Sequence, residues 1–219
     1  MSFIVAIDGP AGAGKGTITK LVGDRLNLVN IDTGATFRCV ALCMLKENIK
    51  IQEEDKIEDM LNKINIEMRP NDEIFLNGEN VTKRIRENDV NDFVSPISTI
   101  PVVRNKLLNL QRNIAKGQNI IMEGRDIGTV VFPNADVKIY LDATPEERAR
   151  RRILQNKEKG IDVTYEEVLE NIKDRDKRDS TRKVAPLKRA EDAIYLDSTN
   201  LNIEQVVDKI IKIIEEKRK

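Results

Sequence analysis

Met1-Ser-Phe-Ile-Val-Ala-Ile-Asp-Gly-Pro-Ala-Gly-Ala-Gly-Lys-Gly-Thr17 opens the chain. The apolar run Phe3 to Ile7 stops at Asp8-Gly9, as a short buried strand does. A glycine-rich stretch follows and ends at Lys15, after which Ile18, Leu21, Val22 and Leu26 recur at helical spacing. Strand, glycine loop and helix in that order form the setting of a phosphate-binding loop. Glycines let the backbone turn tightly and aim successive N–H groups inward. The new helix adds the positive end of its dipole, and Lys15 adds a mobile cation for the outer phosphates. The spacing fits G-x-x-x-x-G-K at Gly9, Gly14 and Lys15. One position departs from the general pattern: Gly16, not Ser or Thr, follows the lysine, and the hydroxyl comes one residue later at Thr17. A Mg²⁺ ion is therefore expected to be held mainly by phosphates and water, as this ion tolerates, with no protein side chain assigned as a metal ligand.

Working outward, the 219 residues suffice for one domain with small inserted lobes. Basic and acidic residues balance at 37 each, which argues against a protein that coats nucleic acid or an anionic membrane. No stretch is apolar enough to span a bilayer. The structural pattern begins at residue 3, so no signal peptide is expected, and a cytoplasmic location is. The two cysteines, Cys39 and Cys43, lie four apart on an expected helix and read as buried thiols. The chain has no histidine, which removes Ser-His-Asp and Cys-His nucleophiles and imidazole metal sites.

Leu28 to Ile31 reads as a second strand ending in Asp32-Thr33-Gly34. Residues 35–48 and 53–63 read as helices. Ile64, Ile66 and Met68 then alternate with polar residues, Asn71-Asp72 reads as a turn, residues 74–76 as a return strand and Asn77-Gly78 as a hairpin turn. A helix is expected over 101–115, with Pro101 near its start. Asn119 to Met122, Val137 to Leu141 and Ile194 to Leu196 read as buried strands, and 165–180 and 203–217 as helices. Another helix starts near Thr144, where Thr144 followed by Glu147 is a capping-box pattern. The polar stretch 155–163, broken by Gly160, reads as a mobile loop. The alternation of strands and helices predicts an α/β fold: a three-layer α/β/α core on a five-stranded, mainly parallel sheet, plus an inserted small antiparallel lobe and a lid. Ligands are then expected beyond the carboxyl ends of the strands.

Two arginine groups stand out. Arg175, Arg178 and Arg182 share one helix face, with Asp179 four residues after Arg175. This is either a solvated, salt-bridged face or the wall of an anion site, and Val184-Ala-Pro-Leu187 suggests that the helix ends in a packed turn. Arg148, Arg150, Arg151 and Arg152 read as a solvated face, or as a nucleic-acid patch that the neutral total charge argues against. Phosphate loop and arginines together suit phosphoryl transfer, whose transition state is stabilised by positioning and positive charge. A phosphate acceptor is already anionic near neutral pH and needs no base, which is compatible with a chain lacking histidine, although carboxylates can serve a hydroxyl acceptor.

Gly9 to Thr17 resembles the nucleoside monophosphate kinase form of the loop, in which glycine commonly follows the lysine. Ile31-Asp-Thr-Gly34 with Arg38, Glu123-Gly-Arg-Asp-Ile-Gly-Thr-Val-Val-Phe-Pro133, Arg175-Asp-Lys-Arg-Asp179, Val184-Ala-Pro-Leu187 and the inserted lobe between about 62 and 90 resemble the bacterial cytidylate kinases, in order and over nearly the whole chain. The resemblance implies that Gly9, Pro10, Ala11, Gly12, Ala13, Gly14, Lys15, Gly16 and Thr17 bind ATP with Mg²⁺, with Arg151 reaching the phosphates when a lid closes. It implies that Lys15, Arg125 and Arg182 are the catalytic side chains. Arg38, Arg125 and Arg182 would hold the acceptor phosphate or the moving group, and Ser95, Arg104 and Asp126 would read cytosine. Asp126 can accept from the exocyclic amino group and Arg104 can donate to the ring acceptors. Arg175 and Asp179 match positions near the ribose, and Thr33 keeps the hydroxyl of a common serine. Glu123 stands where the motif often has aspartate and receives no role.

The implied partners are CMP, dCMP and ATP, with no nucleic acid and no membrane, for a monomeric chain. The single domain 1–219 would divide into a core (1–32, 96–150 and 165–219), a monophosphate-binding lobe with its insert over about 33–95, and a lid over about 151–164. Three other readings compete: another monophosphate kinase such as adenylate kinase, a nucleotide-hydrolysing switch or motor, and a non-catalytic ATP-binding module. Asn-Lys-x-Asp and Asp-x-x-Gly, expected of a GTP-dependent switch, do not occur.

Overall fold

In a computed structural model, which describes residues 2–69, 72–158 and 160–218, the chain divides into two compact units, residues 1–30 with 117–219, and residues 31–116. The first unit begins with β1 (Ile4–Asp8), the phosphate loop and α1 (Lys15–Leu26). β2 (Val29–Asp32) leads into the second unit. The first unit resumes with β6 (Ile120–Gly124), β7 (Val137–Asp142), α6 (Pro145–Glu158), α7 (Tyr165–Thr181), β8 (Ile194–Asp197) and α8 (Ile203–Arg218). The strand order is β2-β6-β1-β7-β8, with β1 parallel to both β6 and β7, and β7 parallel to β8. The apolar runs give the reason: Val5, Ile7, Ile121, Val137, Ile139 and Leu141 turn one face of these strands toward Ile18 and Val22 of α1 and Val206, Val207, Ile210 and Ile214 of α8. The parallel sheet with helices is thus as expected, and it sends the ends of β1, β6 and β7 to one edge, where Asp8, Gly124 and Asp142 stand.

The second unit carries α2 (Thr33–Lys46), α3 (Glu54–Lys63), β3 (Ile66–Arg69), β4 (Glu73–Leu76), β5 (Glu79–Asn80), α4 (Asn88–Ile97) and α5 (Pro101–Ile114). The three strands form the expected small antiparallel sheet, with Ile66 opposite Leu76 and Phe75 opposite Asn80. Asn77 and Gly78 both have positive φ, 51° and 85°, the conformation of a two-residue hairpin turn of type I′. The expected turn at Asn71-Asp72 falls partly outside the described residues. No element is expected over α4 from its sequence. Val90, Val94 and Ile97 do lie at helical spacing on its buried side, but Asn, Asp and Pro96 dilute the pattern. α5 packs on α2 and α3, and its Val103 and Leu107 belong to the second unit's core. Leu107→Ala should lower stability by about 2–5 kcal/mol through the cavity it leaves, which urea denaturation would measure.

The region 155–163 differs from expectation. Gln155 to Glu158 continue α6, because Gln, Lys and Glu are good helix formers once a helix is under way and outweigh Asn156. α6 is described as far as Glu158, and Gly160 has left the helical conformation, with a φ of 69°. At the start of α6 only half of the expected capping box forms. Thr144 Oγ1 accepts from Glu147 N at 3.3 Å, while Thr144 N donates to Thr199 Oγ1. A complete box stands at α7 instead, between Thr164 and Glu167.

Candidate active site

The first unit brings the loop and three of the expected arginines together. Gly9 is required by space: a Cβ there would lie 2.0 Å from the Leu141 carbonyl oxygen of the neighbouring strand. The loop turns into α1 at Lys15, and no acidic residue of the helix itself stands in its first turn, an arrangement whose amino-terminal amides and dipole favour an anion. Lys15 is not the free, mobile cation expected from sequence. It is buried, and its Nζ donates to the carbonyls of Gly9 and Pro10 at 2.8 and 2.7 Å. Burial, and then the nearby Arg125, push the Lys15 amine down to about 7. Thr17 and Gly16 are exposed at the start of α1. A Cβ at position 16 would lie 2.9 Å from Glu123 Oε1, so the glycine that departs from the general motif is what leaves space for the longer carboxylate.

Asp179 gathers the arginines. Its Oδ2 accepts from Arg125 Nε at 3.0 Å, and its Oδ1 lies 3.7 Å from Arg182 Nη1. Arg182 also reaches Asp126 Oδ1 at 3.4 Å. Burial raises the Asp179 carboxyl, but Arg125, Arg175 and Arg182 together outweigh it and hold the group below the ordinary carboxylate range. Arg182 stands just past the end of α7, with its Nε donating to Ala185 O. Leu187 N donates back to Asp179 O and the Leu187 side chain is buried, so the helix does end in a packed turn. Arg178 does not join this group: it is exposed and its Nε donates to Asp174 O.

Arg151 is engaged elsewhere in this structure. Its guanidinium donates to Ser198 O and Oγ at 2.6 and 3.1 Å and to Glu147 Oε1 at 3.1 Å. Two residues without a role in the sequence reading matter more to the loop. Arg148 is buried and donates to Ala11 O within the loop. Its one signal in the sequence is its place beside Ala149 and Ile153, which mark the inward face of α6. Asp8, at the end of β1, accepts from Ile127 N and Gly128 N at 2.7 Å each. These amides belong to a π-helical turn, Ile127–Val131, that follows directly on Arg125 and Asp126.

In the second unit Asp32 caps α2, accepting from Ala35 N, and binds Arg38 Nη2 at 2.5 Å. Thr33 is buried, and its carbonyl accepts from Thr36 Oγ1, which in turn accepts from Gln111 Nε2. Arg104 is buried, donates to Ser98 O and lies 5.3 Å from the Phe37 ring centre. Ser95 is buried too, and its hydroxyl has no hydrogen-bond partner among the described residues. An orphaned buried hydroxyl carries a desolvation penalty that a polar ligand relieves.

Among the described residues no cluster of three or more acidic, cysteine or histidine side chains stands ready for a metal, and no helix is long and apolar enough to cross a membrane. Cys39 and Cys43 are free, buried thiols, and burial pushes Cys39 up to about 12.

Comparison with known proteins agrees with this geometry. The family model described as cytidylate kinase matches residues 5–216. A cytidylate kinase of Fusobacterium nucleatum is 51% identical over 214 residues, covering 98% of each chain. One of Caldicellulosiruptor bescii is 50% identical over 212 residues, covering 95% of this chain and 94% of that protein. Among solved structures, an uncharacterised protein of Eubacterium ventriosum superposes with a TM-score of 0.54 at 14% identity, covering 99% of each chain, a likeness of fold alone.

Proposed function

The chain belongs to the cytidylate kinase family, and from that premise we propose that it transfers the γ-phosphoryl group of ATP to CMP, yielding CDP and ADP, with the phosphate loop 9–17 as donor site. The observation that carries this reading is the run of charge in the first unit, from Lys15 past Arg125 and Asp179 to Arg182, beside a loop built for phosphates. Such a run offers fixed positive charge where phosphoryl transfer develops negative charge, and its carboxylate Asp179 is engaged by arginines.

In this reading Lys15 stabilises the moving group, and Arg38, Arg125 and Arg182 hold the acceptor phosphate and the transferred phosphoryl group. Asp179 keeps two of these guanidinium groups oriented before substrate arrives. Ser95, Arg104 and Asp126 read cytosine, and the partnerless Ser95 hydroxyl supports this. Arg175 and Asp179 serve the ribose, Thr33 supports the acceptor, and Arg151 serves ATP after leaving Ser198. Magnesium, when bound, neutralises charge on the phosphates. Glu123 Oε1, packed against Gly16, and the exposed Thr17 offer oxygens beside the loop that suit an ion held chiefly by phosphates and water. The reading extends to dCMP as a second acceptor, a lobe over about 33–95, a lid over about 151–164, and a monomeric, cytoplasmic protein acting on small molecules without nucleic acid or membrane. Free buried thiols suit a reducing compartment.

ADP formation from Mg-ATP with CMP, dCMP, UMP and AMP offered separately tests the proposal. Turnover should be strong with CMP and dCMP, at least about tenfold weaker with UMP and negligible with AMP, since uracil and adenine mismatch polar groups set for cytosine. Equal turnover with AMP would overturn the base-reading assignment, and ADP release without any acceptor would favour a hydrolytic switch.

A further inference from the structure

α6 and α7 pack chiefly on each other. Ala149, Val168 and Ile172 form a small core of their own, with Ile153, Tyr165 and Leu169 against it. A buried guanidinium ties this helix pair to the phosphate loop. Arg148 Nε donates to Ala143 O at 2.8 Å, at the end of β7. Its Nη1 donates to Ala11 O at 3.0 Å, within the loop, and its Nη2 to Asp176 Oδ2 at 2.6 Å, on α7. The Arg148 side chain is 3% exposed. The loop also rests on its stem: a Cβ at Gly12 would lie 3.3 Å from Arg148 Cβ. A buried charge with each of its three nitrogens donating in this way is held by geometry as much as by attraction.

We propose that Arg148 is a positioning residue for the donor site: by holding the Ala11 carbonyl away from the bound phosphates it keeps the loop's amides aimed at them, and through Asp176 it sets the loop in register with the helix that carries Arg175 and Asp179. A loop that binds phosphate with backbone N–H groups must turn its carbonyls outward, and an outward carbonyl needs a donor. Lysine cannot replace the planar fork that reaches three acceptors at once. Arg148 touches neither substrate, so its effect passes through the loop.

The inference rests on the reading of residues 9–17 as the ATP site, and the test separates the two. Calorimetric titration of the wild type with Mg-ATP, without acceptor, checks the site itself; wild-type protein that bound no ATP would overturn the functional reading and this inference with it. Given that binding, Arg148→Lys should weaken Mg-ATP roughly 10- to 100-fold, the range for one lost hydrogen bond from a charged group, while CMP titrated alone stays within about twofold. Loss of a merely structural residue would instead weaken both ligands together. Asp176→Asn, which leaves the loop contact but removes its counter-charge, should weaken ATP less. Combined with Arg148→Lys it should add nothing, because the two share one network. Lys212→Ala, exposed on α8, serves as the control with unchanged affinity. ATP affinity unchanged in folded Arg148→Lys, equal losses for ATP and CMP, or additive effects of the two variants would each overturn the proposal. Should Arg148→Lys fail to fold, the ATP-selective loss in Asp176→Asn decides alone.

Discussion

Lys15→Met should lower turnover of CMP with Mg-ATP on the order of a thousandfold and abolish a proton uptake expected when ATP binds. The first effect follows from position. The amine stands at the first residue of α1, pinned to the two carbonyls that open the loop, where a single preorganised donor aimed at developing charge is worth several kcal/mol. The second follows from its proton. Burial, reinforced by Arg125, leaves the free protein's Lys15 at about 7. Phosphates brought against it favour the charged form and push it back up. Between about pH 7 and the complex's higher value the complex therefore holds a proton that the free protein lacks. ATP affinity then falls with rising pH, by up to about tenfold per unit. The same lowered value means that the unfolded chain holds more protons than the folded one between about 7 and 10.5, so the Lys15 contribution to stability rises with pH across that window. Calorimetry at pH 8 in two buffers of different ionisation enthalpy would read the uptake directly. Methionine has nothing to titrate, and proton uptake that persisted in the variant would assign the effect elsewhere. A loss of turnover below about tenfold in folded protein would remove Lys15 from the transferring machinery.

Much of this was readable in the residues because local rules and tertiary needs agree. The runs around Val5, Ile121 and Ile139 are strands because nothing but a fully covered sheet would bury them. Asn77-Gly78 turns because both residues take positive φ readily. Gly9 is glycine because a neighbouring carbonyl fills its side-chain space. Where local rules are silent the reading failed or went unmade. Polar Gln155 to Glu158 says nothing about where a helix ends, and only Gly160 does. Val90, Val94 and Ile97 carry the helical period of α4, but their neighbours argue for a loop. Arg148 and Asp8 are hidden for a stronger reason. A lone arginine among four reads no differently from its neighbours, and an aspartate after a strand marks an end where ligands are expected without saying what it binds. Their roles are set by partners far along the chain: Ala11 stands 137 residues from Arg148, and Ile127 and Gly128 stand 119 and 120 from Asp8. No period or spacing carries such pairings.

Asp8 tests whether a pairing of that kind governs the chemistry. Both of its oxygens accept backbone amides of the turn after Arg125 and Asp126, so the carboxylate joins the start of the phosphate loop to the two residues expected at the acceptor. Asp8→Asn keeps the shape but turns one acceptor into a donor that faces an N–H, and the turn must shift. Turnover should fall on the order of a hundredfold, the penalty for displacing reacting groups by about an ångström. Stability should not follow it. Burial pushes the Asp8 carboxyl from the ordinary 3.8 up to about 6 against the pull of the two amides, so the ionised form is held at a penalty of roughly 3 kcal/mol at neutral pH. Removing that charge offsets the lost acceptor, which is worth about 1–3 kcal/mol. The raised value also fixes the sign of a pH effect. Asp8 stabilises the fold fully below about pH 4, and that contribution is lost as pH rises through about 6. Asp179, held low by its arginines, works the other way and loses its contribution on acidification. Taking the difference between wild type and Asp8→Asn cancels such common terms. The wild type should gain on the variant by up to roughly 3 kcal/mol as pH falls from 7 toward 4, read by urea denaturation at each pH. A variant with normal turnover would show that the acceptor turn holds its place without the carboxylate. A stability difference flat across that pH range would show that Asp8 is not the group titrating there.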